Sequence, residues 1–311
     1  MKKILIIGLG IGKLYRTLLE NNNHGQYEIL TVDIDPNKHP KYLDLDSCYS
    51  EHPKIDMALV CCPNYLHDSY ITKLTQLNMC DVIVVEKPGL PTAFAWSNKV
   101  TAGFPTKLLM VKNNLYRNSL IDEIKKTISD NINDISGINI DWLNVDRIPN
   151  PGSWFTNKEL AFGGVSRDLM PHLLSIYYGL FKLMPVPILA TAYQKYTLDD
   201  ISKSDYGTIT VEGGVYDVDD HAQMVLQTNT DGKQFVVTIS AAWKTELTDP
   251  KIGVTIIFKN GTKVFYDFGL CPGNAYYKMI EDYLTMDDTQ YQNHVHIDTW
   301  IHNSLDCYDK N

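Results

Sequence analysis

Val82-Ile83-Val84-Val85-Glu86-Lys87-Pro88 is the stretch on which the reading of this chain turns. Its four consecutive β-branched residues make an apolar run too short for an ordinary helix, so it reads as a buried parallel strand. Pro88 cannot continue a central ladder, and it holds Lys87 away from helical geometry. A strand therefore delivers two opposite charges at its C-terminal edge, which is where open α/β sheets bind their ligands. Lys87 beside Glu86 is a candidate proton carrier or substrate anchor. An ordinary surface ion pair after a strand is the competing reading.

The residues before this stretch repeat the pattern. Lys3 to Ile7 is a second apolar run, and it enters Gly8-Leu9-Gly10-Ile11-Gly12-Lys13. Leu14, Leu18 and Leu19 follow at helical spacing. A strand, a glycine turn and a helix start together suit a pyrophosphate, because glycine lets the backbone approach and the helix N-terminus offers N–H groups and a positive dipole end. In the G-x-G-x-x-G spacing the third glycine position falls on Lys13, with Gly12 one place early. This predicts a helix set slightly further from its strand. Tyr27 to Val32 reads as the next strand and ends at Asp33. That acid lies about twenty residues past the turn, where a ribose-binding carboxylate belongs. It also reads as a turn or cap acid before Pro36.

Asp56 to Cys62 is a further strand, closing on Pro63-Asn64, with Leu66, Tyr70, Leu74 and Leu77 at helical spacing beyond it. His67 falls in the first turn of that helix, a place where histidine more often serves structure than chemistry. Leu108 to Val111 is another strand, ending at Lys112-Asn113-Asn114. This alternation predicts an α/β fold with a doubly wound parallel sheet in the first part of the chain.

Composition bounds the partners. The chain has 311 residues, 44% of them hydrophobic and 21% charged, enough for two ordinary domains with a substantial core. A net charge of -9 disfavours nucleic acid, since phosphate backbones need basic patches. The six cysteines form no C-x-x-C pair, which reads as buried free thiols of a reducing compartment, with no zinc site. The start, Met1-Lys2-Lys3 and then Ile4 to Ile7, lacks a small-residue cleavage site, and Lys13 and Arg16 interrupt it early. No stretch is long enough to span a bilayer. The expectation is a cytoplasmic protein with no membrane partner.

A second chemical centre is Gly163-Gly164-Val165-Ser166-Arg167-Asp168-Leu169-Met170-Pro171-His172. Two glycines open a helix on which Asp168 and His172, four apart, share a face. Pro171 fits best if the helix starts only shortly before it. A carboxylate one turn away can orient and charge an imidazole, which raises His172 above a merely packed histidine. Leu120 to Ile128 reads as a helix and Gly137 to Trp142 as a half-buried antiparallel strand. Beyond Leu180 the chain is strand-rich, at 208–211, 222–226, 235–239, 254–258 and 262–266, the last two flanking the hairpin signal Asn260-Gly261. Tyr276 to Leu284 and His296 to Leu305 read as closing helices. His294, His296 and His302 lack zinc-type spacing and are assigned to helix surface, so no metal is expected.

Taken together, the turn Gly8 to Gly12, Pro63-Asn64 with His67, Glu86-Lys87-Pro88 and the Asp168/His172 stretch resemble the Gfo/Idh/MocA family, the glucose–fructose oxidoreductase and inositol dehydrogenase group. The resemblance covers essentially the whole chain, and Glu-Lys-Pro after a hydrophobic strand is its most specific mark. It implies a Rossmann domain, placed here at 1–118, and an α/β domain with a large, mostly antiparallel open sheet at 119–311. It implies an NAD(P)-dependent dehydrogenase or reductase of a sugar, cyclitol or related alcohol. Lys87, Asp168 and His172 would then be catalytic. Gly8, Leu9, Gly10, Ile11, Gly12, Asp33, Cys62, Pro63, Asn64, His67, Glu86, Lys87 and Asn114 would hold the cofactor. Asp33 favours NAD over NADP, with Lys38 as the counterweight. Many members follow the equivalent of Asn114 closely with Arg, whereas this chain reads Asn114-Leu115-Tyr116-Arg117. A catalytically silent sensor of dinucleotide or sugar on the same fold is the alternative. The open sheet's second face predicts a homodimer or homotetramer.

Overall fold

The computed structural model describes residues 1–310 apart from 23, 104, 202–210, 212 and 231. The strand expected at 208–211 lies, except for Val211, outside the described residues. The chain packs as two compact units, Met1–Val111 with Gly273–Thr299, and Lys112–Pro272 with Trp300–Asn311. The sequence suggested a single cut after residue 118. The structure divides the chain at Val111 and returns a C-terminal segment to the first unit.

In the first unit β1 (Lys2–Ile7), α1 (Gly12–Asn21), β2 (Tyr27–Val32), α2 (Leu45–Glu51), β3 (Ile55–Val60), α3 (His67–Gln76), β4 (Cys80–Val85), α4 (Ala93–Val100) and β5 (Lys107–Met110) alternate along the chain. The strands form one parallel sheet in the order β2-β1-β3-β4-β5. Ile4 to Ile7 and Val82 to Val85 are buried along their whole length, as unbroken apolar runs require when both faces are covered. The strand order reverses between β1 and β3, so the crevice beyond their C-terminal ends is the ligand position of such sheets.

Helix α1 departs from the expected pattern. It buries Gly12, Tyr15 and Leu19, while Leu14 is exposed. A Cβ on Gly12 would lie 2.8 Å from Ile6 Cγ2 and 3.4 Å from Cys61 Cβ. The helix therefore sits close on its strand, and Gly12, one place early, supplies the packing contact that the motif spacing had assigned to the next position. Helix α3 likewise buries His67, Ile71 and Leu74 rather than the leucine-led face read from the sequence.

In the second unit α5 (Asn118–Asp130) leads to β6 (Ile135–Leu143). Short helices α6 (Lys158–Ala161) and α7 (Val165–Asp168) precede α8 (Met170–Phe181). Strands β7 (Leu189–Tyr193), β8 (His221–Thr230), β9 (Lys233–Ala242), β10 (Lys251–Phe258) and β11 (Lys263–Asp267) complete a sheet ordered β11-β10-β6-β9-β8-β7. Strand β6 pairs antiparallel with β10 but parallel with β9, so the sheet is mixed around the strand expected to be antiparallel. Strand β7, short and built on two alanines, gave no period-2 signal. Ile138, Ile140, Met224, Leu226, Val237, Ile239, Val254 and Ile256 are fully buried on one face. Helix α8 packs on β6 and β9, and its Tyr177 hydroxyl, also fully buried, shares a 2.9 Å hydrogen bond with Thr228 on β8. The other face mixes Gln223, Gln227 and Thr238 with Val236.

The chain closes with α9 (Gly273–Thr285) and α10 (Asp288–Leu305), both starting before the residues expected. The division between the units falls within α10, after Thr299. The histidines of this segment differ from one another: His296 is exposed and His294 half-buried beside Asp282 at 3.5 Å, but His302 is fully buried. The assignment of His302 to helix surface is thereby corrected. Among the described residues no cluster suited to a metal ion is present.

What returns Gly273–Thr299 to the first unit is the outer edge of β5. An open strand edge carries backbone groups that need partners. Asp298 accepts the Met110 N–H at 3.0 Å, the Tyr291 hydroxyl accepts the Leu108 N–H at 3.3 Å, and the Tyr283 hydroxyl donates to the Met110 carbonyl at 3.2 Å. Side chains thus stand where a sixth strand would pair. Asp298→Ala should lower unfolding free energy by at least about 1–3 kcal/mol, because it orphans a buried N–H. Asp298→Asn, which keeps an acceptor oxygen, should lose less. Equal losses in denaturant titrations of the two variants would show that the edge bond is not the reason.

Candidate active site

Four strand ends of the first unit converge on the crevice. The Gly8 N–H bonds to the Val32 carbonyl at 2.8 Å and the Cys61 N–H to the Ile7 carbonyl at 2.7 Å. The Glu86 N–H continues the ladder to the Val60 carbonyl at 2.9 Å. Gly8 has φ of +89°, and a Cβ there would lie 2.8 Å from both Cys62 N and Cys62 Cα. Only glycine fits. Leu9 is buried, and its N–H donates to Asp33 Oδ2 at 2.6 Å, so the acid at the end of β2 also holds the glycine turn. Gly10 is exposed, has no positive φ, and a Cβ on it would meet nothing within 4 Å. Nothing in the protein demands glycine there, whereas a ligand approaching the backbone would. Ile11 opens α1 without any side-chain cap, leaving the helix N-terminus for an anion.

Asp33 is 6% exposed. Burial raises its pKa, but N–H bonds from Leu9 and Asp35 and the Lys38 ammonium outweigh it, and the net shift is downward. It is therefore a carboxylate at neutral pH. The capping role weighed for it belongs to Asp35, which accepts the Asn37 N–H.

Cys62, Pro63 and Asn64 follow β3, with Asn64 buried in a 3₁₀ turn. His67 does not open toward solvent. Its ring is fully buried, with Nδ1 2.8 Å from the Gly89 carbonyl and Nε2 3.0 Å from the Cys62 carbonyl. It joins the loop after β3 to the loop after β4, so it shapes the crevice from behind. Burial pushes its pKa down to about 4 against the pull of the two carbonyls, and the Lys87 charge adds to the lowering. The ring is neutral at pH 7 and donates to one carbonyl only.

Glu86 is buried. Its Oε1 accepts the Tyr15 hydroxyl at 2.6 Å, and its Oε2 accepts the backbone N–H of Lys87 at 3.2 Å. Tyr15 is fully buried, and Tyr276 packs edge-on against it at 5.5 Å. The charged pair at the end of β4 is thus anchored through its acid to α1. Sequence reading missed Tyr15 because it counted leucines on that helix.

In the second unit Asn114 lies in a 3₁₀ turn that packs against α8. It is 1% exposed, and neither its side-chain oxygen nor its nitrogen has a hydrogen-bond partner. Unpaired buried amides are rare and point to a ligand or water. Asp168 ends α7 and His172 lies in the first turn of α8, with Pro171 near that helix's start, where it is tolerated. The His172 ring packs 5.6 Å from Trp142 of β6. Asp168 Oδ2 accepts the indole N–H of Trp243 at 2.8 Å, and Trp243 is buried. Asp219 accepts the N–H groups of Gly164 and Ser166 at 2.9 and 2.7 Å, and the Ser166 hydroxyl at 3.0 Å, fixing the start of α7. Neither Trp243 nor Asp219 was legible, since they act across 75 and 53 residues with no local pattern. Arg117 donates to the Phe268 carbonyl and stacks on the Phe268 ring at 4.7 Å, a structural clamp.

Within the first unit these residues fit a dinucleotide: a glycine facing open space at an uncapped helix start and an ionised acid at the end of β2. The buried histidine yields a pH test. His67 is neutral in the fold down to about pH 4 but titrates near 6.5 when unfolded. Its contribution is therefore complete above pH 6.5 and is lost as pH falls from 6.5 toward 4, by up to about 3 kcal/mol. His67→Gln should flatten the fall in unfolding free energy across that window. Parallel curves for the two proteins would contradict the assignment.

Residues 2–102 match the oxidoreductase family with NAD-binding Rossmann fold, and residues 123–263 match the GFO/IDH/MocA C-terminal domain. A protein of Amycolatopsis mediterranei (strain S699), provisionally named a UDP-kanosamine synthase oxidoreductase subunit, is 24% identical over 179 residues. That match covers 54% of this chain and 49% of that protein, so the similarity spans about half of its length. GenD2 from gentamicin A biosynthesis, solved with NAD, superposes with a TM-score of 0.73 at 14% identity, covering 99% of this chain and 93% of that one. Levoglucosan dehydrogenase with NADH and levoglucosan gives 0.70 at 16% identity over 99% and 97%. The WlbA dehydrogenase of Bordetella pertussis, with NADH and UDP-GlcNAcA, gives 0.68 at 14% over 98% and 97%. At these identities the superpositions establish the fold. The matches to both domain families, lying on the motifs described above, place the chain in the Gfo/Idh/MocA oxidoreductase family.

Proposed function

We propose that this chain is an NAD(P)-dependent dehydrogenase or reductase of a sugar-like alcohol or carbonyl. The observation that carries this reading is Gly10, a glycine with ordinary backbone geometry and empty space where its side chain would be, at the uncapped start of α1. Asp33 would accept the adenosine ribose hydroxyls, and Asn114 would give its amide to the nicotinamide end. Bound NAD supplies the hydride acceptor.

The protein's own part is the proton. Lys87 and His172 would exchange it with the reacting oxygen, and Asp168 would orient the imidazole. Trp243, by holding one oxygen of Asp168, limits the directions in which the other can point. A protein that only sensed a dinucleotide would need neither proton carrier. The substrate class follows relatives whose names or complexes carry levoglucosan and UDP-sugars. A panel of sugars, cyclitols and nucleotide sugars, followed through the absorbance of reduced cofactor, identifies the substrate.

With that substrate, Lys87→Ala and His172→Ala should each lower kcat about a hundredfold to ten-thousandfold while NAD still binds. Asp168→Asn should cost more in turnover than in stability, because it keeps the shape and removes the charge. A lowered melting temperature with nearly unchanged turnover per folded molecule would assign all three to structure instead.

A further inference from the structure

The adenosine end of the crevice has a cation built into it. Lys38 Nζ lies 3.1 Å from Asp33 Oδ2 and 3.4 Å from Oδ1. The acid is 5% exposed at its side chain and the lysine 41%, so one partner is fixed in the fold while the other has room to turn. Both oxygens of Asp33 are also held by backbone N–H groups, from Leu9 at 2.6 Å and Asp35 at 2.9 Å, so its position does not depend on the lysine. Lys38 ends a 3₁₀ turn, Pro36–Lys38, whose start is capped by Asp35. The Asp35 carboxylate accepts the Asn37 N–H and its side-chain N–H, both at 3.0 Å, and so faces its own turn.

The surroundings repeat the sign. Pro36-Asn37-Lys38-His39-Pro40-Lys41 holds two lysines, a histidine and no acid, in a chain of net charge -9. Arg16 of α1 reaches the His39 carbonyl at 3.3 Å while paired with Glu20 at 2.9 Å, tying this loop to the helix that follows the glycine turn.

A carboxylate at the end of β2 accepts the two ribose hydroxyls of NAD and repels the 2′-phosphate of NADP, unless a cation nearby takes the phosphate. Lys38 is such a cation, already seated on the repelling group. We propose that Lys38 is the specificity-determining residue at the adenosine end, and that through it the chain accepts NADP as well as NAD, with affinities within about tenfold of each other. This rests on the dinucleotide reading above. The lysine's flexible stem lets its ammonium leave Asp33 for a phosphate oxygen, while the acid stays in place for the ribose. NAD gains nothing from that movement; NADP gains a counterion that offsets the repulsion from Asp33. The selectivity is thus carried by one exposed side chain rather than by the buried acid alone.

The test is calorimetric titration of the full chain with oxidised NAD and oxidised NADP, for the wild type, Lys38→Gln and Lys38→Arg. No substrate or turnover is needed. Lys38→Gln keeps a polar side chain one atom shorter and removes the charge. It should weaken NADP binding about tenfold or more and change NAD binding less than about threefold. Lys38→Arg, which keeps the charge, should hold the wild-type ratio within about threefold. NAD binding with a ratio to NADP that Lys38→Gln leaves unmoved would overturn this inference and leave the dinucleotide reading standing. Binding of neither cofactor by the wild type would overturn both.

Discussion

The structure of the first unit depends on how closely the backbone leaving β1 passes the backbone leaving β3. At Gly8 the two chains approach until no side-chain carbon fits between them, and the φ of +89° turns the chain away from the sheet at once. That turn sets the start of α1 at the switch point, holds the Leu9 N–H against Asp33, and leaves Gly10 facing outward. Two residues further, Gly12 lets the helix settle on Ile6. Any side chain at Gly8 would push β1 from β3 and move three site elements together. His67 and Tyr15 extend the same constraint. The first ties the loops after β3 and β4 through their carbonyls, and the second ties Glu86 to α1.

The second unit solves a different problem, that of fixing Asp168 at the end of a very short helix. Helix α7 has four residues, too few to hold itself. Asp219 satisfies its first N–H groups, and Arg167, nearly fully buried, reaches Asp309 at 2.5 Å and Asp306 at 3.5 Å near the chain's end. Buried Trp243 fixes the carboxylate that ends the helix. Burial of so many polar groups is costly unless each is paired, and here the pairing converges on α7 and the Asp168 carboxylate that ends it.

What could be read from the sequence was what repeats or punctuates. Short apolar runs gave every strand of the parallel sheet, and glycine and proline gave the turn after β1 and the end of β4. The site residues named in advance all lie at strand ends, in short turns or near helix termini, where such punctuation falls. What escaped was set by distant partners. Tyr15 looked like one aromatic among leucines until its hydroxyl met Glu86. Strand β6 read as antiparallel because alternation reports which faces are buried and not the direction of a neighbour. The helices at 273–305 were recognised, but their task of closing the edge of β5 has no local signal. His302 was taken for a surface residue because spacing alone does not show which side of a helix is covered.

The central claim is that the first unit's crevice exists to take a dinucleotide phosphate at Gly10. Gly10→Ala tests it most directly, because its Cβ would enter open space and the backbone there needs no glycine. The account predicts a variant that folds with an unchanged or slightly raised melting temperature and binds NAD at least about tenfold more weakly. Unchanged NAD affinity in a normally folded Gly10→Ala protein would contradict it.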